Sequence, residues 1–311
     1  MPAIFPNDSG YTDYSSTGAS QFIPQIWSGK LQVKFYKSTV LGDITNNDWE
    51  GEIKGHGDKV IIRSTPDINI VDYTRGLNLT NQIPTSTPIE LLIDKGKYFS
   101  VIVDDVNKVQ SDLNLLDTFT NDAGEQMKIG IDTIVLNNVA ASAATKNKGS
   151  TAGMISNNLT LGVTGTPITV SATNVIDNLM YLGQALDEQN VPESGRWAVI
   201  PAWMARMLKM SDLKNAYLTG DGTSPLRNGK VGQLDRFTLY VSNCLTGITD
   251  GANTCYNVLA GTKQAISFAS QITNMETLRS PSTFGNIVRG LNVFGYKVTK
   301  PEALAVLYCK Q

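Results

Sequence analysis

The residues that could do chemistry are few, and their spacing is poor. His56, the single histidine of 311 residues, sits in Gly55-His56-Gly57-Asp58-Lys59. With no second His or Cys at ligand spacing it makes neither a metal site nor an acid–base dyad, and it reads as a turn residue. The glycines around it lack the GxxxxGK[ST] spacing and precede a strand rather than a helix, so they do not cradle phosphate. Gly220-Asp221-Gly222-Thr223-Ser224 fits no nucleotide fingerprint either, and no GxSxG elbow occurs. Cys244, Cys255 and Cys309 are odd in number and lack metal-ligand spacing, as expected of reduced thiols in a chain made in the cytosol. Carboxylates need more care. Asp104 and Asp105 read as the N-cap and acidic first turn of a long helix. Asp43, Asp48, Glu50 and Glu52 would suit a glycosidase only if two of them converged. On a β ribbon they read instead as partners of Lys54, Lys59 and Arg63, across strands or subunits. Asn46-Asn47-Asp48-Trp49-Glu50-Gly51 lacks the alternating ligands of a calcium loop. No catalytic, cofactor-binding or metal residue is expected.

The elements that would position such residues are more informative. Hydrophobic residues make up 41% of the chain, enough for a sizeable core, and the length suits two domains or one with large insertions. Charged residues are only 17%, below the ~25% usual for soluble proteins, so part of the surface is expected to end in protein contacts. A net charge of −2 argues against a dedicated nucleic-acid binder. Asp8 and Asp13 precede the first base, Lys30, so no signal peptide is read. Apolar runs such as Ile89 to Ile93 fall far short of the ~20 residues that span a bilayer.

Residues 1–28 are rich in Ser, Thr, Gly and Pro and read as an extended arm, whose Phe22, Ile23, Ile26 and Trp27 need a surface to lie on. Lys59–Arg63 and Ile89–Ile93 read as strands. About 25 residues separate them, too many for a compact connection, so the hairpin should project and need a partner. From Asp104 onward Val106, Val109, Leu113, Leu116, Ala123, Met127, Ile131 and Ile134 recur at helical spacing. Unbroken, about 40 residues make a rod of about 60 Å, with Gly124 and Gly130 the places for a kink. Between Asp104 and Lys128 six acids face two bases, a net −4 that would repel phosphates if the helix lined a cavity holding DNA. Beyond Thr151 the pattern alternates: helix Asn174–Gln189, strand Arg196–Ile200, helix Ala202–Met210, a Gly-rich loop, strands Phe237–Val241 and Asn257–Ala260, and a short element Ala265–Gln271. Ile287–Val298 and Ala303–Cys309 read as two strands joined around Lys300-Pro301-Glu302 that return as a pair to the long helix. The whole is α+β.

The order of segments resembles a known family. Ile23-Pro24-Gln25-Ile26-Trp27-Ser28 leads to Lys34-Phe35-Tyr36-Lys37-Ser38, then to Gly51-Glu52-Ile53-Lys54-Gly55 and Asp58-Lys59-Val60. After the long helix come Asn190-Val191-Pro192-Glu193-Ser194-Gly195-Arg196-Trp197-Ala198-Val199-Ile200-Pro201, then Val288-Arg289-Gly290-Leu291-Asn292-Val293-Phe294-Gly295 and Lys300-Pro301-Glu302-Ala303. The series is similar to the major capsid proteins of tailed double-stranded DNA phages, the Hong Kong ninety-seven-type fold, over about nine-tenths of the chain. The resemblance implies an N-terminal arm with the entry to the P-domain (1–44), an E-loop β-hairpin (45–97) and a P-domain with a spine helix (98–150). An A-domain (151–284) and returning P-domain strands (285–311) would follow. It further implies pentamers and hexamers in an icosahedral shell around double-stranded DNA, with the E-loop of one subunit on the P-domain of its neighbour.

Trp27, Phe35, Lys54, Arg63 and Arg289 are the expected inter-subunit contacts, aromatics as anchors and charges as E-loop partners. Some family members crosslink an E-loop lysine to a neighbour's asparagine, and Lys54, Lys59, Lys95 and Lys97 lie in the corresponding region. The short arm implies a separate scaffolding protein, alongside a portal and a cement protein, with assembly in the bacterial cytoplasm and no membrane partner. The alternatives are an encapsulin-like nanocompartment shell, another phage structural protein, and, from a different class, a carbohydrate-active hydrolase.

Overall fold

The computed structural model describes residues 34, 36–49, 59–66, 68–78, 80–105, 115–211 and 232–311, without the side chains of 115, 116 and 271–273. Trp27, Phe35, Lys54 and His56 lie outside the described residues.

Helix α1 (Leu41–Ile44) is a single turn that buries Leu41 and Ile44. Strands β1 (Lys59–Ile62) and β2 (Ile89–Leu92) pair antiparallel, Lys59 opposite Leu92 and Ile62 opposite Ile89, as the β-branched runs require. The long strand β3 (Lys95–Asp104) follows. Asp104 closes β3, opposite Gly285, because Tyr98-Phe99-Ser100-Val101-Ile102-Val103 alternate at strand period, and helical backbone begins at the next residue, Asp105. The pair expected as N-cap and acidic first turn stands at that junction of strand and helix. Helix α2 (Leu115–Asn138) runs without interruption through Gly124 and Gly130 and tightens into 3₁₀ turns at Val139–Ser142 and Thr145–Asn147. Its Ile131, Val135 and Leu136 are buried, so tertiary packing outweighs the ~1 kcal/mol propensity cost of each glycine.

The remaining elements are β4 (Ile168–Thr169), α3 (Val175–Glu188), β5 (Arg196–Ile200), α4 (Ala202–Met210), β6 (Gln233–Leu234), β7 (Phe237–Val241), β8 (Ile248–Asp250), β9 (Asn253–Thr262), β10 (Ile266–Arg279), β11 (Gly285–Val298) and β12 (Leu304–Lys310). Two larger sheets result. A three-stranded sheet has the order β10-β11-β3. A seven-stranded sheet has the order β4-β12-β9-β5-β7-β6, with β8 on β9.

The expected pairing of the last two strands does not occur. β11 lies between β10 and β3, whereas β12 enters the other sheet between β4 and β9. The 3₁₀ turn Pro301–Ala303 separates them, and Asn147 Nδ2 fixes the crossing by donating to the carbonyls of Glu302 (2.6 Å) and Leu304 (3.1 Å). The short element expected at Ala265–Gln271 is the first half of a 14-residue strand.

All five residues of β5 are buried, so both faces of the seven-stranded sheet are covered. Helix α3 lies on one face, where Gly183 abuts the Phe237 ring. Trp203 of α4 meets Tyr256 on that face at 5.9 Å between ring centroids. Val175, Leu179, Leu182 and Leu186 form the buried stripe of α3, each contributing roughly 1.5–3 kcal/mol of apolar burial. The 3₁₀ segment after α2, with Val139, Ala140 and Ala143 buried, joins the same continuous core.

Candidate assembly surfaces

Reactive side chains do not converge. Among the described residues no group of three or more His, Cys, Asp or Glu could hold a metal ion. The three cysteines are free and buried, and burial, with Cys255 nearby, pushes the Cys309 thiol up to about 12. Asp48 is turned into an Asx turn, its N–H donating to Asn46 Oδ1. Among the described residues no helix is long and apolar enough to cross a membrane. What the described residues do carry is ordered apolar surface left exposed.

The β1–β2 ribbon is the first example. Its base is fixed by Leu91, fully buried against Ala269, with Trp49, Val60, Ile62 and Ile93 around the pair. Gly295 is required there, since a Cβ would lie 2.0 Å from the Leu92 carbonyl oxygen. Beyond the strands, side chains tie the two limbs together. Gln82 accepts from the Asn69 N–H (3.0 Å) and donates to its carbonyl (2.7 Å), and Ser64 donates to the Thr87 carbonyl (2.9 Å). The tip nonetheless exposes Ile68, Ile70, Val71, Tyr73 and Ile83, with Ile70 at 93% and Ile83 at 88%. Exposed apolar residues of that size are thus gathered on a segment held by hydrogen bonds.

The second surface is the outer face of the three-stranded sheet. Tyr98 lies opposite Leu291, and Ile102 opposite Ile287, which faces Leu278. Tyr98 is 81% exposed and Ile102 50%. Arg289 sits between these two rows, bound to Glu276 across the strands. The inner face, where Val103 and Val288 are buried, packs on α2.

Arg63 is on the ribbon, lining a cleft of about 880 Å³ with Asp48, Trp49, Ile62, Lys300 and Glu302. It has no hydrogen bond or ion pair among the described residues. Arg63 and Arg289 therefore occupy different surfaces and are not brought together. Of the lysines in the ribbon region, Lys59 pairs with Glu90 at 3.1 Å. Lys95 pairs with Asp94 at 2.7 Å and stands 4.9 Å from the Tyr296 ring centroid.

Several residues that position these surfaces went unmarked in the sequence. The acidic row on α2 is partly consumed by the chain leaving the arm. Asp122 takes Lys34 at 2.7 Å and the Tyr36 hydroxyl at 3.0 Å, and these bonds hold its carboxyl below the usual range. Ten residues further along α2, where the helix is buried, Asp132 accepts the N–H groups of Val40 (2.6 Å) and Leu41 (3.2 Å). Burial pushes its carboxyl above the ordinary range, although those amides pull it down. Arg196 is buried; its guanidinium donates to the carbonyls of Val191 (2.6 Å) and Pro192 (3.0 Å) and lies 2.7 Å from Asp187. The signal for Arg196 was present: an arginine directly before the apolar run Trp197-Ala198-Val199-Ile200 must follow it inside. Glu188 accepts from the N–H groups of Ile155 (2.8 Å) and Ser156 (3.0 Å), anchoring a loop that exposes Met154 and Ile155. A Cβ at Gly153, where φ is +95°, would strike that carboxylate. No local pattern announces this contact, because its partners are 32 or more residues apart.

Comparison with known proteins agrees with this architecture. The family described as phage capsid protein matches residues 88–307. No curated protein matches by sequence. Among solved structures, a chain of Mycobacterium phage Che8 is 28% identical, with TM-score 0.75 over 92% of this chain and 97% of that one. A chain from the capsid structure of the cyanophage P-SCSP1u is 18% identical, with TM-score 0.71 over 99% of each chain. One from the capsid of Ralstonia phage GP4 is 13% identical, with TM-score 0.65 over 96% of this chain and 98% of that one, a likeness of fold. The family match spans most of the chain, including the three-stranded sheet and most of the seven-stranded one: this chain belongs to the phage capsid protein family.

Proposed function

We propose that the protein is a major capsid protein whose copies close as pentamers and hexamers into an icosahedral shell around double-stranded DNA. Its work is geometric rather than catalytic. The observation that carries this reading is the ribbon, firmly seated at Leu91 and exposing Ile70 and Ile83 almost completely at its tip. A single copy gains nothing from such a tip, whereas a neighbour offering an apolar sheet face does. In this reading the tip of one copy lies on the Tyr98, Ile102 and Leu291 face of the next.

The functional division follows: arm and entry 1–44, E-loop 45–97, P-domain 98–150, A-domain 151–284 and returning strands 285–311. Two strands cross these limits, since β10 joins the three-stranded sheet and β12 the seven-stranded one. Trp27, Phe35, Lys54, Arg63 and Arg289 are the contact residues proposed beside the ribbon tip, and normal particle yield from Arg63→Asp would remove Arg63 from that set. A separate scaffolding protein, a portal and a cement protein are the further partners of a shell assembled in the host cytoplasm and found in the virion.

The test is the double variant Ile70→Ser with Ile83→Ser. Both side chains are exposed, so the unfolding midpoint should stay within the ~0.5 kcal/mol expected of surface changes. Shell yield by sedimentation should collapse. Wild-type yield from this variant would contradict the reading.

A further inference from the structure

Helices α3 and α4 lie together on one face of the seven-stranded sheet, and their exposed sides are built alike with opposite sign. Helix α3 contains Asp177, Asp187 and Glu188 and no base; α4 contains Arg206 and Lys209 and no acid. Most of these charges are already used. Asp187 holds Arg196 and Arg236, Glu188 holds the Ile155 loop, and Lys209 has an interaction of its own. Asp177 and Arg206 are exposed, and neither has a hydrogen bond or ion pair among the described residues. One turn beyond each stands an exposed apolar side chain, Tyr181 after Asp177 and Met210 after Arg206, 42% and 60% exposed. Spacings of four place each charge beside its apolar neighbour on one helix face.

We propose that the Asp177–Tyr181 patch of one copy docks on the Arg206–Met210 patch of the next. Both halves of a complementary pair reside on the same chain, yet they do not meet within it. That points to a second copy as the occupant. Because the two patches differ, the contact is heterologous, the head-to-tail kind from which rings are built where the rotation closes. Opposite charges fix the direction of docking and disfavour like-to-like encounters, while Tyr181 and Met210 supply the apolar area. The inference rests on the self-assembly reading above and assigns to it a contact inside each capsomer, distinct from the ribbon.

The experiment compares Asp177→Arg, Arg206→Glu and the double exchange, all in the full chain. The assembled fraction is read by sedimentation and the folding of unassembled subunits by thermal unfolding. Each single exchange should lower the assembled fraction by roughly ten-fold at unchanged folding, and the double exchange should bring it back to within about two-fold of wild type. Single exchanges that assemble like wild type overturn the contact, as does a double exchange no better than the singles. A wild-type chain that stays monomeric overturns the shell reading and this contact with it. A wild type that assembles beside equally competent variants overturns the contact alone.

Discussion

The seven-stranded unit and the ribbon with its three-stranded sheet are made from similar residues but finished differently. In the first, the apolar side chains of β5, β9 and β12 are covered on both faces, and even the buried Arg196 finds the Val191 and Pro192 carbonyls and Asp187 as partners. In the second, one sheet face leaves Tyr98, Ile102 and Leu291 in solvent, and the ribbon tip leaves Ile70 and Ile83 there. Both regions are held by specific contacts, so the difference is not one of order. Only the first unit covers both faces of its sheet within one chain. A subunit built this way can fold before it meets its neighbours and still has a reason to bind them.

The comparison breaks most visibly at Trp197, 2% exposed at the centre of the closed unit. Trp197→Ala should cost about 3–5 kcal/mol, read as a drop in the denaturation midpoint of the isolated subunit, with assembly lost as a consequence. The ribbon double variant should do the opposite, losing assembly at nearly constant stability. Equal stability losses from the two would erase the distinction between the regions.

A smaller effect sharpens the boundary of the closed unit. Although burial pushes the Glu188 carboxyl up, the hydrogen bonds from Ser156, Ile155 and Gln184 bring it from 4.5 to about 2. A lowered folded-state value favours the fold above the unfolded value and is lost as pH falls through the folded one. Wild type should therefore exceed Glu188→Gln in thermal stability by a constant margin above pH about 4.5. That margin should shrink between 4.5 and about 2 and vanish below. Part of the side chain stays in contact with solvent, so the margin is modest. A margin independent of pH would show that the carboxylate does not anchor the Ile155 loop.

The sequence was legible where one element determines itself. Strands β1 and β2 were expected within a residue of their ends because β-branched runs are bounded by Pro and Gly. α3, β5, α4 and β7 were read to within a residue because their apolar periodicity is strong and their stops are Pro201 and polar turns. The errors have a common cause. β10 runs on to Arg279 through Thr273-Asn274-Met275-Glu276-Thr277, a polar stretch with no alternation, since its strand character comes from pairing with β11. Asp104 and Asp105 read as a helix start, and helical backbone does begin at Asp105, but that Asp104 also closes β3 and that Asp105 also holds Arg279 is announced by no local pattern. The swap of β12 into the other sheet depends on Asn147, more than 150 residues away. For the assembly surfaces, the need for a partner was visible in the long, proline-bounded hairpin. Which side chains remain uncovered was not, because exposure is a property of the finished packing.

The central claim is that copies of this chain complete one another. Sedimentation velocity with negative-stain imaging of the full chain, alone and co-expressed with a scaffolding partner, tests it most directly. Closed, uniform shells or free pentamers and hexamers are the predicted result. A well-folded monomer under every condition would contradict the account.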